Sequence, residues 1–88
     1  MPRVVVTHNV ADLQRWLQGK EERAQAIGSI GSNVTDYVAQ DGSNQVAITA
    51  DFEDTDALTS MLTSPPPETM ELMQKHGVQP PVLVYIEA

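Results

Sequence analysis

The segment VVVTHNVADLQRW, from Val4 to Trp16, carries a strand pattern that passes directly into a helix pattern. Its first part is apolar and β-branched, as buried strands are, while Leu13 and Trp16 have the i, i+3 spacing of one helix face. Asn9 or Asp12 is suited to cap the helix, because a side-chain oxygen can accept from the free backbone N–H groups of the first turn. The segment therefore predicts a strand followed at once by a helix.

The helical pattern continues as far as Gly28, which suits a helix stop because glycine tolerates the backbone conformation found there. Lys20 is the one charged residue on the apolar stripe, and Arg15 and Arg23 lie on the same helix among acidic neighbours. We therefore expect one helix from about Asp12 to Gly28, with an apolar stripe made of Leu13, Trp16, Leu17, Ala24 and Ile27.

Two alternating segments follow, and a short polar turn separates them. The segments Ser32–Gln40 and Gln45–Glu53 alternate between apolar and polar residues, and Asp41-Gly42-Ser43-Asn44 has the composition of a tight turn. This pattern predicts a β-hairpin. The apolar side of its second strand suits contact with the helices, and its members are Val46, Ile48, Ala50 and Phe52.

The last part of the chain predicts a helix in two parts and a closing strand. The run Pro65-Pro66-Pro67 separates the two helical patterns, because a residue before proline avoids the helical conformation. Pro67 suits the start of the second part, Gly77 suits its end, and Pro80-Pro81 introduces a strand at Val82–Glu87. The order strand, helix, strand, strand, split helix, strand predicts one α+β domain over residues 1–88, with the ferredoxin-like βαββαβ arrangement and a four-stranded antiparallel sheet.

Such a fold covers one face of its sheet with helices and leaves the other face bare. Val4, Val6 and His8 share one face of the first strand, and Val5 and Thr7 share the other. Both faces are therefore largely apolar, and a bare apolar face marks an interaction surface on a small protein. We expect a homodimer formed sheet to sheet. The last strand alternates in the same way, with Val82, Val84 and Ile86 opposite Leu83 and Tyr85.

Composition limits the partners and the compartment. The 88 residues carry 12 acidic and 5 basic side chains, a formal net charge of -7, and such a field repels a phosphate backbone. The absence of cysteine excludes disulfides and thiolate metal sites, and no apolar run is long enough to span a bilayer. We therefore expect no nucleic acid and no membrane as partners, recognise no secretory leader, and take the cytoplasm as the expected compartment.

The pattern His8-x-Val10-x-Asp12-Leu13-x-x-Trp16 resembles the opening of small dimeric α/β-barrel proteins, the superfamily that contains the antibiotic-biosynthesis monooxygenases. Phe52-Glu53-Asp54 before a short helix is similar to that group, as are Met73–Val78 at the end of the last helix and Pro81–Glu87 at the finish. The resemblance spans nearly the whole chain. It departs from the group at Leu13, where an aromatic is frequent, and at Pro65-Pro66-Pro67, where the connection is longer than usual.

The resemblance implies a sheet-to-sheet dimer with a ligand cavity between each sheet and its own helices. One implied activity is cofactor-independent oxygenation of aromatic or polyketide-like compounds, in which the protein binds, deprotonates and shields an electron-rich substrate. Lactone isomerisation, polyketide cyclisation, haem degradation and non-catalytic ligand-binding or structural roles also occur in the group. Haem chemistry is disfavoured here, because the second helix lacks the expected tryptophan and His76 does not stand at the matching place.

His8 is the candidate catalytic residue, because an imidazole on the covered face near Trp16 could act as a base near neutral pH. The alternative is a structural histidine that is hydrogen-bonded to Asp12 or to a helix-terminal backbone group. No bound cofactor is expected. The candidate walls of a pocket for a small apolar or aromatic ligand are Trp16, Phe52, Met61, Met70 and Met73, all of which could instead fill the core.

Three further groups allow a structural and a functional interpretation. His76 is expected to be a cation at a helix C-terminus, where a positive charge is favourable to the helix dipole. The acidic run Glu53-Asp54-Thr55-Asp56 could suggest a cation site, but it also suits a helix start, so no metal is expected. Tyr37 and Tyr85 could donate a phenolic proton to a ligand or fill the dimer interface, and the interface is the preferred interpretation.

Overall fold

A computed structural model describes residues 2–88 of the chain. The strands of this range form one antiparallel sheet in the order β2-β3-β1-β4, which confirms the predicted α+β ferredoxin-like fold with a split second helix. No helix within residues 2–88 is long and apolar enough to cross a membrane. The elements are β1 (Arg3–Val10), α1 (Leu13–Gln18), α2 (Lys20–Gly28), β2 (Gly31–Val38), β3 (Gln45–Phe52), α3 (Thr55–Thr63), α4 (Pro67–Lys75) and β4 (Val78–Ile86).

The covered face of the sheet follows the predicted alternation. β1 pairs with β3 so that helix-facing residues lie opposite one another, as Val4 does with Ala50 and His8 with Val46. Burial of this face supplies most of the apolar stabilisation, at about 25 cal/mol for each Å² removed from water. Two groups of buried apolar side chains form the core: Val4, Ala50, Phe52 and Leu58 in one, and Val10, Trp16, Val46 and Ile48 in the other.

The first helical segment contains two helices, which corrects the prediction of a single one. Asp12 caps α1, because its Oδ1 accepts from the backbone N–H of Gln14 at 3.0 Å and of Arg15 at 3.3 Å. α1 ends at Gln18, Gly19 follows as its C-cap, and α2 begins at Lys20. The ring of His76 packs against Gly19 so closely that a Cβ there would overlap it. The junction between α1 and α2 therefore lies against His76, which is far away in the sequence. The pattern of residues 12–28 does not contain this contact.

The other helix and turn signals lie where the sequence predicts them. Asp54 caps α3, and its Oδ1 accepts from the backbone N–H of Asp56 at 3.0 Å. Pro67 is the first residue of α4, where a missing N–H costs nothing because that position has no intrahelical partner. Gly77 after α4 and Gly42 in the hairpin turn have φ of +72° and +77°, the left-handed conformation that glycine adopts without strain.

The start of the last strand differs from the prediction. β4 runs over Val78–Ile86 and contains the pair Pro80-Pro81, whereas the sequence predicts a strand from Val82. Prolines are tolerated here because β4 lies at an edge of the sheet, where one side of the strand makes no ladder bonds. The pairing of β4 with β1 shifts register between Thr7 and Asn9, opposite these prolines.

The face of the sheet away from the helices carries apolar side chains that no segment of residues 2–88 covers. Tyr85 lies beside Val5, and Leu83 lies beside Thr7 on the neighbouring strand. Tyr85 is 56% exposed and Leu83 is 49% exposed. The bare apolar face expected from the sequence is therefore present. The large apolar side chains exposed on this face are Tyr37, Leu83 and Tyr85. Val38, Val84 and Ile86 are exposed as well, but they lie on the helix-facing side of the two edge strands.

Candidate active site

A cavity of about 320 Å³ lies between the covered face of the sheet and the helices. Residues of β1 and β3 form one side of it, and residues of α2, α3 and α4 form the other. A space of this size suits a small organic molecule, since ligand cavities of about 300–1,000 Å³ bury most of a drug-sized compound. Most of the lining is apolar and includes Ile27, Phe52, Leu58, Met61, Leu62 and Met73.

His8 lines this cavity near the end of β1 and is 8% exposed. Its Nδ1 lies 3.0 Å from the backbone carbonyl oxygen of Asn9, so the partner belongs to the strand itself and is not Asp12. Since a carbonyl oxygen only accepts, Nδ1 carries the proton in this contact, and Nε2 of the neutral ring keeps a free lone pair. The ring meets that of Trp16 edge to face, with the ring centroids 6.4 Å apart. His8 is therefore arranged as a proton acceptor.

The surroundings of His8 keep it neutral. Burial lowers the pKa of His8 below its ordinary value of 6.5, because a charged imidazole loses hydration there. The hydrogen bond to the Asn9 carbonyl acts in the opposite direction, and the positive charge of Arg23 lowers the pKa further. At pH 7 the imidazole is therefore mostly unprotonated at Nε2 and available as a base.

The structure separates the five residues expected to form the walls of a pocket. Phe52, Met61 and Met73 line the cavity. Trp16 is completely buried in the core outside the lining, and Met70 is 48% exposed and faces solvent. Helical spacing groups residues on a face, but it does not show which face of a short helix such as α4 turns inward.

Arg23 is 5% exposed, although the sequence places it among the charged residues of a helix. Its guanidinium carbon lies 3.9 Å from the centroid of the Trp16 ring, and its Nη1 donates to the Trp16 carbonyl oxygen at 2.6 Å. Its Nη2 donates to Oδ2 of Asp36 at 3.3 Å, which brings an opposite charge from β2. Burial lowers the pKa of Arg23, and the charge of Asp36 acts in the opposite direction.

The signal that could have identified this buried cation is its spacing. Arg23 stands two helical turns after Trp16 and one turn before Ile27, so it belongs to the same apolar face. Asp36 alternates with Val34 on the covered side of β2. Two opposite charges on inward positions of adjacent elements predict a buried ion pair, which we did not infer from the sequence.

His76 follows α4 and is 3% exposed, which corrects the prediction of a charged helix end. Its Nδ1 lies 3.1 Å from Nη1 of Arg23. Because a guanidinium only donates, Nδ1 is unprotonated, and the neutral ring carries its proton on Nε2. Burial lowers the pKa of His76 below 6.5, and the charge of Arg23 lowers it further. The fold thus brings both histidines of the sequence, His8 and His76, to one cavity.

The remaining candidates lie away from the cavity. Tyr37 and Tyr85 are exposed on the bare face of the sheet, on the side opposite to the helices. In the part of the chain that the structure describes, no three histidine, aspartate or glutamate side chains are grouped so that they could hold a metal ion. The acidic run after β3 supplies the cap of α3 through Asp54.

No protein-family model matches this sequence, and no curated protein matches it either. Solved structures do match its fold. An antibiotic biosynthesis monooxygenase superposes with a TM-score of 0.70 at 12% identity, over 100% of this chain and 97% of that chain. A Bordetella bronchiseptica protein named as a candidate antibiotic biosynthesis monooxygenase gives 0.75 at 12% identity, over 99% and 94% of the two chains. Rv0793 from Mycobacterium tuberculosis gives 0.59 at 18% identity, over 100% and 94%.

These likenesses confirm, at the level of the fold, the resemblance that the sequence predicts. Each superposition covers nearly the whole of both chains, so the shared architecture includes the sheet and the helices on its covered face. At identities of 12% to 18% the likeness concerns the backbone arrangement, and a fold of this kind supports many chemistries.

Proposed function

We propose that this chain, which shares its fold with antibiotic biosynthesis monooxygenase-like proteins, is a small homodimeric enzyme that acts in the cytoplasm on an aromatic or polyketide-like compound without a bound cofactor. One observation carries the proposal. The imidazole of His8, with Nδ1 engaged by the Asn9 carbonyl and Nε2 free, lines an apolar cavity of about 320 Å³ between sheet and helices. A neutral base in an apolar cavity suits proton abstraction from a weakly acidic ligand.

The proposed chemistry follows from the lining. The aromatic part of the ligand packs against Phe52, Met61 and Met73, where a ring edge and thioethers accept flat molecules. Nε2 of His8 takes a proton from an acidic O–H or C–H, and the bonding electron pair stays on the ligand. The positive charge of Arg23 favours the anion that forms. The carbanion adds dioxygen at carbon, and the protonated His8 returns its proton to give a hydroperoxide. His8 then takes the second hydrogen of that carbon as a proton, the C–H electron pair forms a carbonyl, and the O–O bond breaks to release hydroxide. The hydroxide takes the proton back from His8 and leaves as water, so the ligand itself supplies all four electrons that reduce dioxygen.

The homodimer is supported by the bare face of the sheet. Tyr85 and Leu83 are about half exposed beside Val5 and Thr7, and a contiguous apolar face of this kind is unusual on a soluble monomer. A second copy placed face to face would remove these side chains from water. Light scattering of the purified chain at micromolar concentration tests the dimer, and a mass equal to one chain would contradict it.

A second candidate function is ligand binding without turnover. The side chains of Arg23 and His76 favour it, because they contact each other. Within residues 2–88, His8 is then the one acid–base group that we identify at the cavity with a free proton-accepting atom. An apolar cavity with a few polar groups is sufficient to hold a hydrophobic molecule. The same fold would then serve as a carrier or a structural protein.

The test begins with the ligand. Native mass spectrometry of the purified protein identifies co-purified small molecules, and a panel of hydroxylated aromatic compounds is screened for oxygen uptake. Once a turnover substrate is found, His8→Gln is compared with the wild type and with Gln25→Ala, a change at an exposed position of α2. Loss of turnover in His8→Gln alone, with the melting temperature retained, supports catalysis. Turnover equal to that of the wild type would remove His8 from the mechanism, and ligand binding without oxygen uptake would favour the second function.

A further inference from the structure

α4 forms one wall of the cavity but is weakly anchored along its own length. None of its residues, Pro67 to Lys75, is fully buried, although Leu72 and Met73 are half-buried at the cavity. The first fully buried side chain after its start is that of His76, at its C-terminal cap. Two exposed contacts also hold the end of α4, since Arg15 donates to the carbonyl oxygen of Gln74 at 3.0 Å and Lys75 pairs with Glu22 at 2.9 Å. His76 is therefore the one buried anchor at this end of the wall.

The contacts of His76 require a neutral ring. Nη1 of Arg23 donates toward Nδ1 at 3.1 Å, so a proton on Nδ1 would place two donors and two positive charges against each other. The opposite side of the ring packs against Gly19, where a Cβ would overlap Nε2. The imidazole is thus enclosed between a fixed cation and the backbone, and it cannot turn away without leaving its site.

The other charges around His76 do not supply a full counter-charge for a protonated ring. Glu22 is the nearest carboxylate, but its Oε1 lies 3.9 Å from Nε2, and its Oε2 accepts from Nζ of Lys75 at 2.9 Å. Arg15 and Lys75 add positive charge nearby. Asp36, on β2, is paired with Arg23. Burial and Arg23, the two largest influences, both lower the pKa of His76, and only Glu22 raises it.

We propose that His76 is a pH-sensitive latch for the cavity wall: protonation of its imidazole breaks the contact with Arg23 and releases α4 from α2. Arg23 is then a positioning residue, which holds the wall through His76 and is itself held by Asp36 and Trp16. The claim that this release opens a ligand site rests on the proposed function. The release of α4 itself does not depend on that function. Neutral conditions keep the wall closed over the cavity, and acid conditions open it.

Hydrogen exchange of the backbone amides tests the latch without any ligand. Protection factors are measured at pH 7.5 and pH 5.5, with amides of β1 and β3 as the internal reference. If one proton is linked to the opening, protection in α4 falls by up to about tenfold for each pH unit below 6.5, while β1 and β3 stay protected. Equal protection of α4 at both pH values would overturn the proposal, and so would an equal loss in all elements.

Two variants assign the effect to one ring. In His76→Asn the amide oxygen can still accept from Arg23 but cannot take a proton, so the pH dependence in α4 disappears. In His8→Gln, which removes the other histidine of the cavity, the pH dependence in α4 remains. A pH dependence that persists in His76→Asn contradicts the latch. If His76→Asn fails to fold, the titration of His76 is followed instead in the wild type by the NMR resonance of its C2–H. The opening of α4 must follow that titration, and titration without opening overturns the proposal.

This design separates the latch from the proposed function. If α4 opens with His76 titration and no compound binds at any pH, the latch stands and the proposed function fails. If a compound binds equally at pH 7.5 and pH 5.5 while α4 exchange is unchanged, the cavity binds ligands and the latch fails.

Discussion

The carboxylate of Asp36 and the guanidinium of Arg23 meet 3.3 Å apart, and both side chains are buried. The contact joins β2 to α2 and holds the cation against the Trp16 ring and beside His76. A buried ion pair gains little net stability when it forms, but the loss of one partner leaves the other charge without compensation. The arrangement of α2 over the sheet therefore depends on a pair of charges as well as on apolar contacts.

Asp36→Asn is expected to lower the free energy of unfolding by about 3–5 kcal/mol, because the cation of Arg23 remains buried without its counter-charge. Urea denaturation monitored by circular dichroism measures the change. Asp51→Asn is the matched control, since Asp51 pairs with a half-exposed Arg3 at the same distance of 3.3 Å. The control should lower the free energy of unfolding by less than about 1 kcal/mol. Equal losses of unfolding free energy in the two variants would show that burial does not increase the cost of removing the carboxylate.

Gly19→Ala is expected to destabilise the protein by about 1–3 kcal/mol, because the new Cβ overlaps the ring of His76 and one of them must move. Gly28→Ala at the end of α2 is the control, since no neighbouring atom lies within 4 Å of a Cβ built there. That change should stabilise the helix by no more than about 1 kcal/mol. Thermal unfolding of the two variants gives the comparison, and a harmless Gly19→Ala would mean that His76 packs elsewhere.

Stability is expected to decrease as the pH falls below 6.5. His8 and His76 both have a pKa that folding lowers, so the unfolded chain binds more protons than the folded one in this range. Their contribution is fully present above pH 6.5 and is lost toward acid, until the pH falls below the folded pKa of each ring. Each histidine adds a slope of up to about 1.4 kcal/mol per pH unit. Unfolding free energies from pH 7.5 to 5.0 measure it.

The two histidines should contribute separately to this slope. His8→Gln and His76→Asn are each expected to reduce it, and a double variant should reduce it further. An unchanged slope in the double variant would assign the acid sensitivity to carboxylates instead.

Leu83→Lys is expected to convert a dimer into monomers, because it places a charge within the bare apolar face. Sedimentation velocity at micromolar concentration measures the mass. Met70→Lys is the control, because Met70 is exposed to a similar degree and lies on α4, on the other side of the sheet. The control should sediment as the wild type does. If both variants and the wild type sediment alike, the sheet face is not the interface.

The element order and the core of the sheet could be predicted because their signals are local. The alternation of β3 and the β-branched run of β1 give strand faces with a period of two, and the residues that face the helices are the buried ones. Caps and turns are local as well, as Asp12, Asp54 and Gly77 show. The placement of His8 near Trp16 also follows from the strand face and the helix start.

The pairing of Arg23 with His76 has no local signal, since 53 positions separate the two residues and their contact exists only after α4 returns to α2. The same return places His76 against Gly19, the residue between α1 and α2. Sequence periodicity therefore established the order of the strands and helices, the apolar core and the bare sheet face, because each needs only neighbouring residues. Assembly in three dimensions established the buried charges, the neutral state of His76 and the shape of the cavity, because burial and electrostatic contact depend on which distant elements meet.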